Sequence, residues 1–229
     1  MAKFLPPRAH SLPDPKGFFL PMRARRIAVI DYGTGNLRSV VKAFEHLGSR
    51  VTLVSKPEQL GDVEALVFPG QGSFDQCMTQ LLSSGLDDSL RAWISKDRPF
   101  FGICLGLQVL FESSEEGKLP GLGIFSGRVL RFCLSTGLKI PHMGWNHVSW
   151  NLSEEHWVRQ NLDDQDQFYF VHSYWVDTND SRLEKFQTDY GLTFTSGIVS
   201  SHCLATQFHP EKSQEKGMQL YRNFLENID

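Results

Sequence analysis

From Arg26 onward, short apolar runs alternate with stretches whose apolar residues recur every three or four positions, and few architectures tolerate that pattern. Ile27-Ala28-Val29-Ile30, Val51-Thr52-Leu53-Val54, Ala65-Leu66-Val67-Phe68 and Phe100-Phe101-Gly102-Ile103 are nearly continuous apolar runs. The first reads as a strand covered on both faces of a sheet, the last as another buried strand, and the two between as further strands. After the first run, Leu37, Val40, Phe44 and Leu47 fall at helical spacing, with Gly48 where a C-cap glycine belongs. Further helical segments are expected around 74–83 and 86–96. The alternation predicts an α/β fold with a mostly parallel central sheet flanked by helices. The second half differs: residues 123–133, 145–150, 167–176, 192–200 and 203–208 are strand-like with little helix between them, which predicts an added antiparallel section. A last helix over 213–227 places Met218, Tyr221, Phe224, Leu225 and Ile228 on one side, with Ser213 as its N-cap.

The 229 residues suffice for one large domain, expected over 24–229. Residues 1–23 stand apart. Five of the 11 prolines fall there, and residues 1–26 carry six of the 23 basic residues against the single acid Asp14. This segment reads as a loose tail, or as an over-extended start with Met22 as the initiator. The local charge of +5 leaves −8 on residues 27–229, a poor match for nucleic-acid phosphates. No apolar run is long enough to span a membrane. Cys77, Cys104, Cys133 and Cys203 lack the paired spacing of a zinc site. No metal is expected, and the thiols read as reduced, in a cytoplasmic protein.

Gly102-Ile103-Cys104-Leu105-Gly106 is the cysteine form of a nucleophile elbow. A strand running straight into a helix must turn sharply, and glycines on either side remove Cβ atoms that would collide there. Cys104 then sits at the carboxyl edge of the sheet, where open α/β sheets bind ligands. It also begins a helix expected over Leu105–Phe111, whose dipole and free N–H groups favour a thiolate. Alone, this motif is balanced against a buried structural cysteine.

A base is available in Gln207-Phe208-His209-Pro210-Glu211. Pro210 holds His209 extended, and in an extended chain residues i and i+2 face one way. Glu211 can therefore bond one imidazole nitrogen and leave the other for Cys104. His10, His46 and His156 have no such context and read as surface or packing residues.

Gly102–Gln108 and Phe208–Ser213 together resemble the class I, or triad, glutamine amidotransferases. Asp31–Val40, Pro69-Gly70-Gln71-Gly72-Ser73-Phe74, Pro141-His142-Met143-Gly144-Trp145-Asn146 and His172-Ser173-Tyr174 narrow the resemblance to the glutaminase subunits of imidazole glycerol phosphate synthase. It runs from about Arg26 to the C-terminus. It implies a Cys104–His209–Glu211 triad that hydrolyses glutamine through a thioester. It implies an oxyanion hole from the backbone of Leu105 and of Gln71 or Gly72, with Gln71 where the family usually carries valine. It assigns Gln108, Glu116, His172, Ser173 and Tyr174 to the substrate, Gln108 also lying one helical turn after Cys104. It further implies a heterodimer with a (β/α)8-barrel cyclase, faced by Asn36, Trp145 and Lys212. No cofactor is implied: Gly33-Thr34-Gly35-Asn36 lacks both the dinucleotide spacing and a P-loop lysine.

Other readings remain open on the residues alone. They are a glutaminase serving another acceptor (an anthranilate, aminodeoxychorismate or pyridoxal phosphate synthase), a non-catalytic regulatory partner, and a cysteine peptidase on the same scaffold. Pro141–Asn146 argues against the first and the complete triad against the second.

Overall fold

The computed structural model describes residues 23–33, 37–134 and 137–228. Residues 1–22 and Asn36, which carry the tail expectation and one partner-facing expectation, lie outside the described residues. The chain runs β1 (Arg26–Ile30), α1 (Leu37–His46), β2 (Arg50–Val54), β3 (Ala65–Gly70), α2 (Phe74–Ser84), α3 (Leu86–Ser95), β4 (Phe100–Cys104) and α4 (Leu105–Gln108). It continues with β5 (Ser113–Ser114), β6 (Arg128–Arg131), β7 (His142–His147), β8 (Gln167–His172), β9 (Tyr174–Asp177), β10 (Glu184–Asp189), β11 (Thr193–Ser200), β12 (Cys203–Thr206) and α5 (Gln214–Glu226).

Strands β2, β1, β3, β4 and β12 lie side by side and parallel. Beyond β12 the sheet turns antiparallel through β11, β9 and β6, with β10 also paired to β11. The apolar runs of β1, β3 and β4 are continuous because each of these strands feeds two cores, whereas β2, at the sheet edge, buries only Val54. Ile27, Val29, Ala65, Val67, Phe101 and Ile103 pack with Phe44 of α1 and Tyr221 and Phe224 of α5. The alternate residues Ala28, Ile30, Leu66, Phe68 and Phe100 pack with Phe74 and Met78 of α2 and Leu90 of α3. Helices thus cover both faces, as the alternation requires. Gly48 takes the expected left-handed conformation after α1, with φ +84°. Among the described residues no helix is long and apolar enough to cross a membrane.

Four expectations need correction, and one strand was not expected; β7 spans His142–His147, three residues before the expected 145–150. The helix after Cys104 is a single turn rather than Leu105–Phe111. Val109 still donates to the Leu105 carbonyl, but Leu110 and Phe111 donate to the Leu107 and Gln108 carbonyls three residues back, so the turn tightens. The carbonyls of Val109, Leu110 and Phe111 then accept from the amides of Leu122, Ile124 and Gly123. The same bonds hold 121–125 in a loop and confine the expected 123–133 strand to β6. The 167–176 run is two strands: it breaks at Ser173, β8 pairing with β7 in a separate ribbon and β9 joining the main sheet. Strand β10 escaped prediction because its sequence, Glu-Lys-Phe-Gln-Thr-Asp, buries only Phe186 and Thr188.

Candidate active site

Strands β4 and β12 are parallel neighbours, Ile103 standing opposite Thr206. Their carboxyl ends therefore open at one edge, and the chain leaving β12 carries Gln207 and His209 past Cys104. Cys104 is the turn residue between β4 and α4, with φ +55° and ψ −105°. Non-glycine residues adopt such dihedrals only where the surroundings enforce them. Here the enforcement is close packing. A Cβ on Gly106 would lie 1.9 Å from the Phe68 carbonyl oxygen, one on Gly102 would lie 2.6 Å from the Gly106 oxygen, and one on Gly70 would lie 2.5 Å from the Leu105 Cβ. The elbow glycines thus let β3 and α4 approach Cys104. Because α4 has one turn, its dipole is small; the Cys104 sulfur is influenced chiefly by its side-chain neighbours.

His209 is 2% exposed, and its Nδ1 lies 2.8 Å from Glu211 Oε1. The carboxylate arrives by a different route from the expected one. His209 itself is extended, but Pro210–Lys212 form a 3-10 turn that folds Glu211 back onto the ring. Burial opposes a charge on His209. The adjacent Cys104 sulfur, acting by charge and hydrogen bonding, and the Glu211 carboxylate outweigh it, and its pKa is pushed up to about 10. The imidazolium is the form of His209 that this environment favours. Behind it, the buried Tyr221 hydroxyl is held neutral, first by desolvation and then by the Glu211 charge, with its pKa well above the usual phenol value. Ser213, the expected helix cap, does not cap α5: its Oγ donates to the His209 carbonyl at 2.7 Å and accepts from the Tyr169 amide at 3.0 Å. It pins the His209 loop to β8 instead.

A cleft of about 380 Å³ opens over Cys104 and His209. Leu105, Gln71, Gly72, Gln108, Glu116, His172, Ser173, Tyr174 and Lys212 all line it. Gln71 is not free to point its amide into the cleft. Its N–H donates to the Tyr32 hydroxyl at 2.7 Å, and that hydroxyl donates back to the Gln71 carbonyl at 2.6 Å. Glu116 accepts from the Phe74 amide at 2.9 Å, and burial raises its pKa. Gln108 is buried, its Nε2 donating to the Tyr174 carbonyl at 3.3 Å and to Gln207 Oε1 at 3.0 Å. Trp145 lies outside the cleft and is 44% exposed on β7, so it is no core residue. Its ring meets Tyr169 edge-on, and the Lys212 ammonium lies 5.8 Å from that ring on the same stretch of surface.

Sequence reasoning missed three participants. Tyr32 and His142 sat in quoted motifs whose own residues explained nothing locally. Gln207 stood two residues before His209 without a partner in view; its Nε2 donates to Cys104 Sγ at 3.5 Å.

The class-I glutamine amidotransferase family profile matches residues 28–228. The imidazole glycerol phosphate synthase subunit HisH of Dechloromonas aromatica is 45% identical over 216 residues, covering 90% of this chain and 99% of that protein. The HisH subunit of Acinetobacter baylyi is 45% identical over 202 residues, covering 88% and 98%. Among solved structures, a glutamine amidotransferase crystal structure superposes with a TM-score of 0.69 at 22% identity, covering 88% of this chain and 98% of that one. PurLQS from Thermotoga maritima does so at 0.70 and 16%, covering 90% and 100%; both speak to the fold alone. With its elbow cysteine, its buried His-Glu pair and this breadth of similarity, the chain belongs to the class-I glutamine amidotransferase family, in the branch formed by the HisH proteins.

Proposed function

We propose that the protein hydrolyses glutamine at Cys104 and hands the ammonia to a cyclase subunit that forms imidazole glycerol phosphate in histidine biosynthesis. The observation that carries the reading is the buried His209–Glu211 pair, 2.8 Å apart, set against a cysteine at a strained strand-to-helix turn. The Cys104 thiolate attacks the side-chain amide carbon of glutamine, forming the C–S bond and placing the electron pair on oxygen. His209 gives its proton to the departing nitrogen, the C–N bond breaks, and a glutamyl thioester remains. A water, deprotonated by His209, then attacks the thioester carbon, releasing glutamate and returning the thiolate. Glu211 keeps the imidazole in the orientation this needs.

The oxyanion calls for two backbone donors, each worth about 3 kcal/mol when aimed in advance. The Leu105 amide follows the elbow. The second comes from the Gln71–Gly72 backbone. Because Tyr32 occupies the Gln71 N–H, Gln71 serves only after that bond is released, and Gly72 is the alternative donor. Gln108, Glu116 and the His172–Tyr174 strand end hold the substrate.

Free ammonia is mostly protonated at neutral pH, so a synthase gains by passing it directly to its acceptor. Trp145 and Lys212 belong to the face for a (β/α)8-barrel partner; Asn36, outside the described residues, is assigned to that partner by the resemblance alone. Within this reading residues 24–229 are the catalytic domain, acting in the cytoplasm. Glutamate release with and without the cyclase and its nucleotide ligand tests the reading. A large rise on adding both is expected, and Cys104→Ala should abolish glutamine turnover while ammonia-dependent cyclisation survives. Substantial turnover by Cys104→Ala would remove Cys104 as the nucleophile.

A further inference from the structure

Gln207 takes no part in the chemistry above, yet it is fully buried against the sulfur. Its backbone is fixed by an N–H bond to the Ser196 carbonyl at 2.8 Å, which continues the β11–β12 pairing one residue past β12. The side chain therefore leaves the sheet at a set position between β4 and the cleft.

The orientation of its amide follows from one acceptor. The Tyr174 carbonyl can only accept, and it takes a hydrogen from Gln108 Nε2 at 3.3 Å. That turns the Gln108 amino group inward, where its other hydrogen meets Gln207 Oε1 at 3.0 Å. Gln207 must then present its own amino group to Cys104 Sγ, at 3.5 Å. Flipping the Gln207 amide would set two donors against each other, and flipping the Gln108 amide would set its oxygen against two acceptors. Both Gln108 amino hydrogens are spent, so Oε1 is the Gln108 atom left for the cleft.

We infer that Gln207 is a positioning residue that serves both partners of the reaction at once, donating to the Cys104 sulfur and locking the Gln108 amide so that its oxygen is presented to the substrate. A donor aimed at sulfur favours the thiolate over the thiol. A Gln108 oxygen fixed in the cleft accepts from an ammonium or carboxamide N–H and repels a carboxylate, which suits glutamine over glutamate. This inference rests on the reading of Cys104 as the nucleophile and goes beyond it.

Gln207→Met keeps length and removes both hydrogen bonds. Gln207→Glu keeps an acceptor for Gln108 but sets a carboxyl oxygen, in place of a donor, against the sulfur. The measurement is the rate of Cys104 alkylation by iodoacetamide against pH, followed on the Cys104 peptide by mass spectrometry because Cys133 is also exposed. The other titratable groups sharing the cleft are His209, Glu116, His172, Tyr174 and Lys212, with Glu211 behind His209; the substitutions leave them all in place. In both variants the alkylation midpoint should move up by about one pH unit, the loss of one charge-assisted bond. KM for glutamine should rise about tenfold in Gln207→Met and much less in Gln207→Glu. Loss of melting temperature with an unmoved midpoint in both variants would make Gln207 a packing residue and overturn the inference. A shifted midpoint with KM unchanged in Gln207→Met would remove the Gln108 half. If alkylating Cys104 leaves glutamine turnover intact, the fault lies with the nucleophile assignment, and the two failures are told apart.

Discussion

Two buried histidines should make this fold lose stability steeply in mild acid. His172 is fixed as the Nδ1–H tautomer, since that nitrogen lies 2.7 Å from the Tyr174 carbonyl, a group that only accepts. Its Nε2 must then accept from His142 Nδ1 at 3.0 Å, and His142 Nε2 in turn accepts from the Asn146 amide at 3.3 Å. A proton added to either ring would put two donors face to face. The His142 ring is also stacked 4.0 Å from Tyr190 and 4.8 Å from Phe170, which excludes water. Desolvation lowers the pKa of His142 to about 4 and that of His172 to about 3. Below an unfolded-chain pKa near 6.5, the unfolded state binds protons that the folded state refuses. Stability is therefore intact above pH 6.5 and falls as pH drops toward 4. Between pH 7 and pH 5 the cost is about 2 kcal/mol per histidine, and about 4 kcal/mol for the pair. The assay is urea unfolding at both pH values for the parent protein and for His142→Phe, which keeps the stacked ring. Titrating groups out of contact with His142 cancel in the comparison, and His172 stays desolvated chiefly by its own burial, so the variant should lose about 2 kcal/mol less than the parent between the two pH values. Equal losses would mean that His142 takes up a proton in the folded state, and the reasoning would fail.

Gly106→Ala should destabilise the fold by about 3 kcal/mol in urea melts, because its Cβ would meet the Phe68 carbonyl oxygen at 1.9 Å and neither backbone can yield freely. Glu211→Gln removes the charge that helps hold His209 protonated and oriented; kcat should fall by about a hundredfold or more with KM nearly constant. A raised KM at constant kcat would place Glu211 on the substrate. Tyr32→Phe keeps the ring edge-on to Phe68 but deletes the hydroxyl that bonds both backbone groups of Gln71. If Gln71 is the second oxyanion donor, partner-independent glutamate release should rise several-fold; an unchanged rate would assign that role to Gly72.

The parallel half of the fold was legible because its strands and helices obey local rules. A strand buried on both faces needs apolar residues at every position, and Ile27–Ile30 and Ala65–Phe68 supply them to two separate cores. The antiparallel half was blurred for the opposite reason. Residues 167–176 look like one strand since nothing local marks the break, yet Ser173 must hand the chain from the β7–β8 ribbon to the main sheet. Its carbonyl accepts from the Phe132 amide at 3.0 Å, a partner 41 residues distant in sequence that no window could supply. The helix after Cys104 was overdrawn by the same blindness: it tightens at Leu110 and Phe111, where residues 122–125 take hold of the chain.

The site divides along the same line. Cys104, His209 and Glu211 carry their geometry in their immediate neighbours: glycines that clear a turn, and a proline that holds His209 extended and starts the 3-10 turn bringing Glu211 back. Gln207, Gln108 and His142 carry no such mark. Their hydrogen-bonding direction is set by the Tyr174 carbonyl, which accepts from His172 Nδ1 at 2.7 Å and from Gln108 Nε2 at 3.3 Å. One acceptor with two lone pairs thereby fixes both histidine tautomers on one side and both glutamine amides on the other. Sequence shows which residues can donate and accept; only the arrival of β9 beside the end of α4 decides which way each must point. That is why the elbow cysteine and the His-Glu pair can be read from short motifs, whereas the groups that hold them in register emerge only once the sheet is assembled.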